Sequence, residues 1–178
     1  MIVAIDGPAG AGKSTTARAL AQRLGYAYID TGAMYRAVAL HVREQNISPD
    51  DEIQIAALAR ELPLRFEDCG TRIFVGARDV STHIRTPEIG DLTSRISALP
   101  ALREVIVDLQ RRIGRESENA CGGAVLEGRD IQTVVFPDAP VKIFLSADPS
   151  TRAQRRLDQW QEKENTVSLD EATRDIVE

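Results

Sequence analysis

Met1-Ile2-Val3-Ala4-Ile5-Asp6-Gly7-Pro8-Ala9-Gly10-Ala11-Gly12-Lys13-Ser14-Thr15 opens the chain and decides its fold. The apolar run at its start reads as a strand buried on both faces. Lys13 to Leu24 reads as a helix that ends at Gly25, with Ala17, Leu20, Ala21 and Leu24 along one apolar face. Between them lies a complete G-x-x-x-x-G-K-[ST] loop. Strand, loop and helix aim backbone N–H groups and a helix N-terminus at one spot, where a polyphosphate is held. Gly7, Gly10 and Gly12 permit backbone conformations that a Cβ would forbid. Lys13 supplies charge to the β- and γ-phosphates, and the Ser14 hydroxyl is placed to ligate Mg²⁺. The loop predicts a nucleoside triphosphate bound by Gly7, Pro8, Ala9, Gly10, Ala11, Gly12, Lys13, Ser14 and Thr15.

The 178 residues suffice for one domain with a sizeable core. A net charge of −5 argues against a general nucleic-acid binder, which needs a basic face to neutralise phosphates. One Trp, three Tyr and four Phe supply no stacking platform for single strands. Cys69 and Cys121 form no C-x-x-C pair and read as reduced thiols of a cytoplasmic protein, with no signal peptide ahead of the loop. No apolar run is long enough for a membrane span.

Further along, Tyr26 to Ile29 predicts a second strand, followed by a helix from about Thr31 to Asn46 with Thr31 as N-cap. Ser48-Pro49-Asp50-Asp51-Glu52 predicts a helix start, with proline at the first position and acids in the first turn, running to about Glu61. Leu64 to Val80 alternates apolar and polar residues around a turn at Asp68 to Thr71, a hairpin signal. Thr86-Pro87 begins another helix, and Pro100 separates it from a longer one reaching about Glu118. Ala124 to Glu127 and Val141 to Leu145 read as two more buried strands. Asp148-Pro149 starts a helix through about Glu162, and Ser168-Leu169-Asp170-Glu171 is a capping box for a last one. Strands alternating with helices imply a parallel, helix-covered sheet with ligands at the carboxyl ends of its strands. The expected fold is therefore α/β: a P-loop kinase or GTPase core with an antiparallel hairpin insert.

Four segments besides the phosphate loop carry chemistry. Asp30-Thr31-Gly32-Ala33-Met34-Tyr35-Arg36 follows the second strand, and Arg36 offers a planar fork suited to phosphate. Arg85 precedes a helix, and Arg103 lies one turn into another. Each of these arginines, taken alone, is compatible with a solvated surface. Gly128-Arg129-Asp130, directly after an apolar strand, overlies the phosphate crevice. A shikimate- or gluconate-type kinase and a nucleotide-binding module without turnover both share the first motif. A GTPase would need an N-K-x-D motif, which the chain lacks.

The combination I-D-G-P-A-G-A-G-K-S, D-T-G-A-M-Y-R, I-R-T-P-E, L-P-A-L-R, E-G-R-D-I-Q-T-V-V-F-P-D-A-P-V-K-I-F-L and R-A-Q-R-R resembles bacterial cytidylate kinases from Met1 to about Glu162. Gly128 to Leu145 is the most diagnostic stretch. The insert at Leu64 to Val80 matches the family's enlarged monophosphate-binding region and sets it apart from adenylate and guanylate kinases. The resemblance implies transfer of the γ-phosphoryl group of ATP to CMP or dCMP, with Mg²⁺, by a monomeric cytoplasmic enzyme that binds neither nucleic acid nor membrane. It implies a single domain: core 1–30 and 119–150, monophosphate-binding region about 31–118, lid about 151–168. By the same resemblance Thr31, Tyr35, Arg36 and Arg85 surround the acceptor, with Arg36 on its phosphate. Ser94, Arg103 and Asp130 face cytosine and ribose, and Arg129 joins Lys13 where the phosphoryl group crosses. Arg152, Arg155 and Arg156 belong to the lid. Thr31 stands where the family often has serine, and Glu127 where some members have aspartate. A final strand and helix of the family are expected to be absent from this chain.

Overall fold

The first strand sits at the centre of the molecule because every one of its side chains is apolar except the last. The computed structural model describes residues 1–67, 70–152 and 154–155. In it β1 (Ile2–Asp6) is buried throughout and pairs in parallel with β6 (Ala124–Gly128) on one side and β7 (Val141–Phe144) on the other. β2 (Ala27–Asp30) flanks β6, giving the parallel order β2-β6-β1-β7. Alternate residues of β1 enter two cores. Ile2 and Ala4 join the larger one with α2 (Thr31–Glu44), α3 (Glu52–Glu61) and α5 (Pro100–Cys121). Val3 and Ile5 join the smaller one with Ala17 and Ala21 of α1 (Lys13–Leu24). The expected parallel sheet covered by helices is therefore present, and its carboxyl edge carries the phosphate loop, Asp30 and Gly128 together. Among the described residues no helix is long and apolar enough to cross a membrane.

Several boundaries differ from the sequence expectation, each for a local reason. Asp30, not Thr31, caps α2: its carboxylate accepts from the Ala33 N–H at 3.0 Å, and Thr31 is already helical. Asp51 rather than Ser48 caps α3, accepting from the Gln54 N–H, so Pro49 lies outside the helix. α2 stops at Glu44, and Asn46 takes a positive φ of 53° in the connection that follows. Leu24 is 43% exposed, so the apolar face of α1 ends at Ala21. β7 is half-buried rather than fully buried, with Phe144 67% exposed, because it borders the described sheet.

The insert forms a sheet of three antiparallel strands, β3 (Leu64–Glu67), β4 (Arg72–Val75) and β5 (Arg78–Asp79), where a two-stranded hairpin was expected. β5 is only two residues long, too short to carry a periodic signal. The helix beginning at Pro87 is α4 (Pro87–Ile96), capped by Thr86 as anticipated. α5 runs on to Cys121, where Gly122 in a left-handed conformation ends it. Residues 149–152 are helical, in agreement with the Asp148-Pro149 start. The rest of that helix toward Glu162, the Ser168 capping box and Cys69 lie outside the described residues.

Candidate active site at the carboxyl edge of the sheet

The phosphate loop closes on itself. Ala11 N–H donates to the Pro8 carbonyl at 3.3 Å, and the Lys13 ammonium donates to the same oxygen at 3.0 Å. Gly12 precedes α1 in a left-handed conformation, φ 93°, which turns the first helical amides toward the loop's hollow. At Gly7 the constraint is proximity: a Cβ there would fall 2.1 Å from the Leu145 carbonyl oxygen. Burial, followed by the charge of Arg129, lowers the Lys13 pKa, while Glu127, Asp30 and Asp6 pull it upward. Lys13 and Arg129 are thus within electrostatic reach, and Arg129 is exposed above the loop.

Beneath Lys13 lies a buried polar knot. Tyr28 donates its phenolic hydrogen to Glu127 Oε1 at 2.5 Å, and Ser14 hydrogen-bonds the same carboxylate. Burial and the neighbouring Asp30 raise the Glu127 pKa, against the pull of Ser14, Tyr28 and Lys13. Burial also raises that of Tyr28, and the Arg18 guanidinium stacks 5.3 Å from the centre of its ring. Ser14 and Glu127 present hard oxygens of the kind Mg²⁺ takes. Among the described residues no group of three or more His, Cys, Asp or Glu could enclose a metal by itself. A magnesium ion here would be held by one or two protein oxygens, with the remaining ligands coming from substrate phosphates and water.

A second cluster follows β6 at the same edge of the sheet. Arg103 pairs with Asp130, and Tyr35 stands against them, its phenol pushed up to about 12 mainly by burial. Arg103 also donates to the Ser97 carbonyl at 3.5 Å, tying α5 to the end of α4. Arg85 pairs with Asp30 at 3.1 Å, so one carboxylate both caps α2 and holds an arginine. Arg36 is half-buried and donates to the Ile84 carbonyl at 3.4 Å. Tyr35, Arg103 and Asp130 therefore form one group, while Arg85 is held by Asp30 and Arg36 by the Ile84 carbonyl. Two residues stand apart. Ser94 Oγ donates back to Gly90 of its own helix, and Thr31, 4% exposed, donates its hydroxyl hydrogen to the Glu127 carbonyl at 2.6 Å.

The start of the segment expected to form a lid rests on the phosphate loop. Arg152 donates to the Ala9 carbonyl at 3.5 Å and Arg155 to the Gly10 carbonyl at 3.3 Å. Arg156 lies outside the described residues. Two contributors escape sequence reasoning. Tyr28 reads as one apolar position of a buried strand, and its hydroxyl finds Glu127 only through the β2–β6 pairing. Asp6 reads as the polar end of β1, whereas its carboxylate binds two backbone amides beyond Asp130. The available signal was a carboxylate closing an apolar strand.

The sequence profile described as cytidylate kinase matches residues 3–178. A cytidylate kinase of Citrifermentans bemidjiense is 48% identical over 180 residues, a match covering 100% of this chain and 75% of that protein. A cytidylate kinase of Geobacter sulfurreducens is 51% identical over 174 residues, 96% of this chain and 72% of its own length. One from Methylococcus capsulatus is 46% identical over 178 residues, 99% of this chain and 78% of its own length.

Proposed function

Because the chain belongs to the cytidylate kinase family, we propose that it transfers the γ-phosphoryl group of ATP to CMP or dCMP, yielding ADP and CDP or dCDP. The observation that carries this reading is a complete phosphate loop at the same sheet edge as the Arg103–Asp130 pair that follows β6. Phosphoryl transfer asks for alignment and charge neutralisation rather than covalent chemistry. On the donor side Lys13, the loop amides and the N-terminus of α1 hold the ATP phosphates. Arg129, beside Lys13, neutralises charge where the phosphoryl group crosses, and Arg36 orients the acceptor phosphate. No general base is needed, because a phosphate dianion is already nucleophilic. Arg152 and Arg155, now on the loop carbonyls, are placed to turn toward the donor and exclude water.

A bound magnesium ion would supply charge neutralisation at the donor phosphates. Ser14 is the residue to ligate it, and Glu127 orients that hydroxyl through their hydrogen bond. Cytosine is read by Asp130, held by Arg103, with Tyr35 beside the pair; Ser94 would have to change rotamer to contribute. We further propose a monomer in the cytoplasm, as the resemblance to cytidylate kinases implies. The deciding experiment is ADP release with CMP, dCMP, UMP and AMP as acceptors. Turnover with CMP or dCMP well above that with UMP and AMP is expected. Binding of ATP and CMP without ADP release would mark a nucleotide-binding module instead.

A further inference from the structure

We propose that Asp6 is a positioning residue for acceptor recognition, its carboxylate clamping the loop that carries Arg129 and Asp130. The proposal rests on the reading of Asp130 as the cytosine acceptor. Asp6 is 3% exposed and uses both of its oxygens. Oδ1 accepts from the Ile131 N–H at 2.9 Å and Oδ2 from the Gln132 N–H at 2.8 Å. These amides open a π-type turn, Ile131–Val135, directly after Asp130. The first amides of any helical turn lack partners within it. Here the usual side-chain cap is missing, since Asp130 makes no capping bond of its own. The Asp130 carboxylate is thereby left to face Arg103, and Asp6 supplies the cap from another strand.

The clamp is fixed at its base. Asp6 stands opposite Gly128 of β6 and Phe144 of β7, and its carbonyl accepts from Leu145 N–H at 2.8 Å. A second tether, Gln132 Nε2 to the Ile143 carbonyl at 2.8 Å, holds the same turn to β7. Charge-assisted bonds of this kind are the strong ones. Since Gly7 is the next residue after Asp6, one side chain joins the start of the donor loop to the loop that reads the acceptor.

Asp6→Asn preserves volume but sets an amide N–H against one of the two backbone N–H groups. Amide exchange should show Ile131 and Gln132 losing protection. The CMP:UMP ratio of kcat/KM should fall roughly tenfold, the scale of one charged hydrogen bond, with KM for CMP rising more than KM for ATP. Asp130→Asn is measured in parallel. If Asp130→Asn narrows the ratio while Asp6→Asn leaves it intact, the clamp does not serve recognition and this inference fails alone. If Asp130→Asn also leaves the ratio intact, the cytosine-reading assignment falls and the inference with it. Should Asp6→Asn not fold, Gln132→Met removes the second tether and is judged by the same two readouts, with a narrowing of about threefold expected.

Discussion

Lys13 illustrates what a single side chain contributes here. Its ammonium donates to the Pro8 carbonyl and its side chain belongs to neither apolar core, so Lys13→Ala should keep the fold and lose the transfer. We expect kcat to drop by on the order of 10³-fold, as when a preorganised charge is removed from a transition state. A steady-state ADP assay beside a thermal melt checks both halves. Arg36→Ala should raise KM for CMP strongly and leave ATP affinity unchanged, because Arg36 stands on α2 and donates to the Ile84 carbonyl, outside the phosphate loop. Wild-type CMP kinetics in that variant would remove Arg36 from the acceptor site. Lys13 and Arg36 were legible because each is charged and follows a recognisable strand. Tyr28 and Asp6 were not, since their partners are about a hundred or more residues away and only the strand order brings them together. Thr31 shows the reverse: a hydroxyl in the right segment, committed to a neighbouring carbonyl.

The element scale turns on how helices begin at the sheet edge. Asp30 closes β2, caps α2 and pairs with Arg85. Asp30→Ala should destabilise the protein by about 1 kcal/mol through the lost cap, a fall of roughly 2–4 °C in Tm for a chain of this size. Asp30→Asn retains a capping oxygen but loses the charge. It should melt close to wild type while still weakening CMP binding, because Arg85 is released. Equal melting losses in both variants would refute the division between cap and charge. Helix starts at Lys13, Pro87 and Pro100 were readable from glycine and proline chemistry. The start at Glu52 was not, because Ser48, Asp50 and Asp51 all offer capping oxygens and only the observed backbone selects Asp51. β5 stayed hidden since two residues have no periodicity, and the π-type turn at Ile131 has no sequence signature.

The whole molecule tolerates a carboxylate where burial opposes it. Glu127 has a raised pKa in the fold, so the cost of keeping it charged is fully present above that pKa. The cost is relieved as pH falls through it, because the folded protein then takes up the proton more readily than the unfolded chain. Glu127→Gln should accordingly melt higher than wild type near neutral pH, with the gap closing as the solution is acidified. The same variant should transfer phosphoryl groups poorly and bind Mg²⁺·ATP more weakly. A wild type that melts higher at every pH would show instead that the Tyr28 and Ser14 bonds outweigh the burial.

β1 leaves the ribosome before the other strands, yet its two neighbours in the sheet, β6 and β7, begin only at Ala124 and Val141. At about 5–20 residues per second, this apolar strand waits on the order of ten seconds for its partners. During synthesis the nucleotide-binding edge cannot yet exist, because the residues opposite Asp6 have not been made. A nascent chain halted near Glu118 should therefore be open to protease and attractive to chaperones. Completion of β6 should be the moment at which the growing chain first becomes resistant.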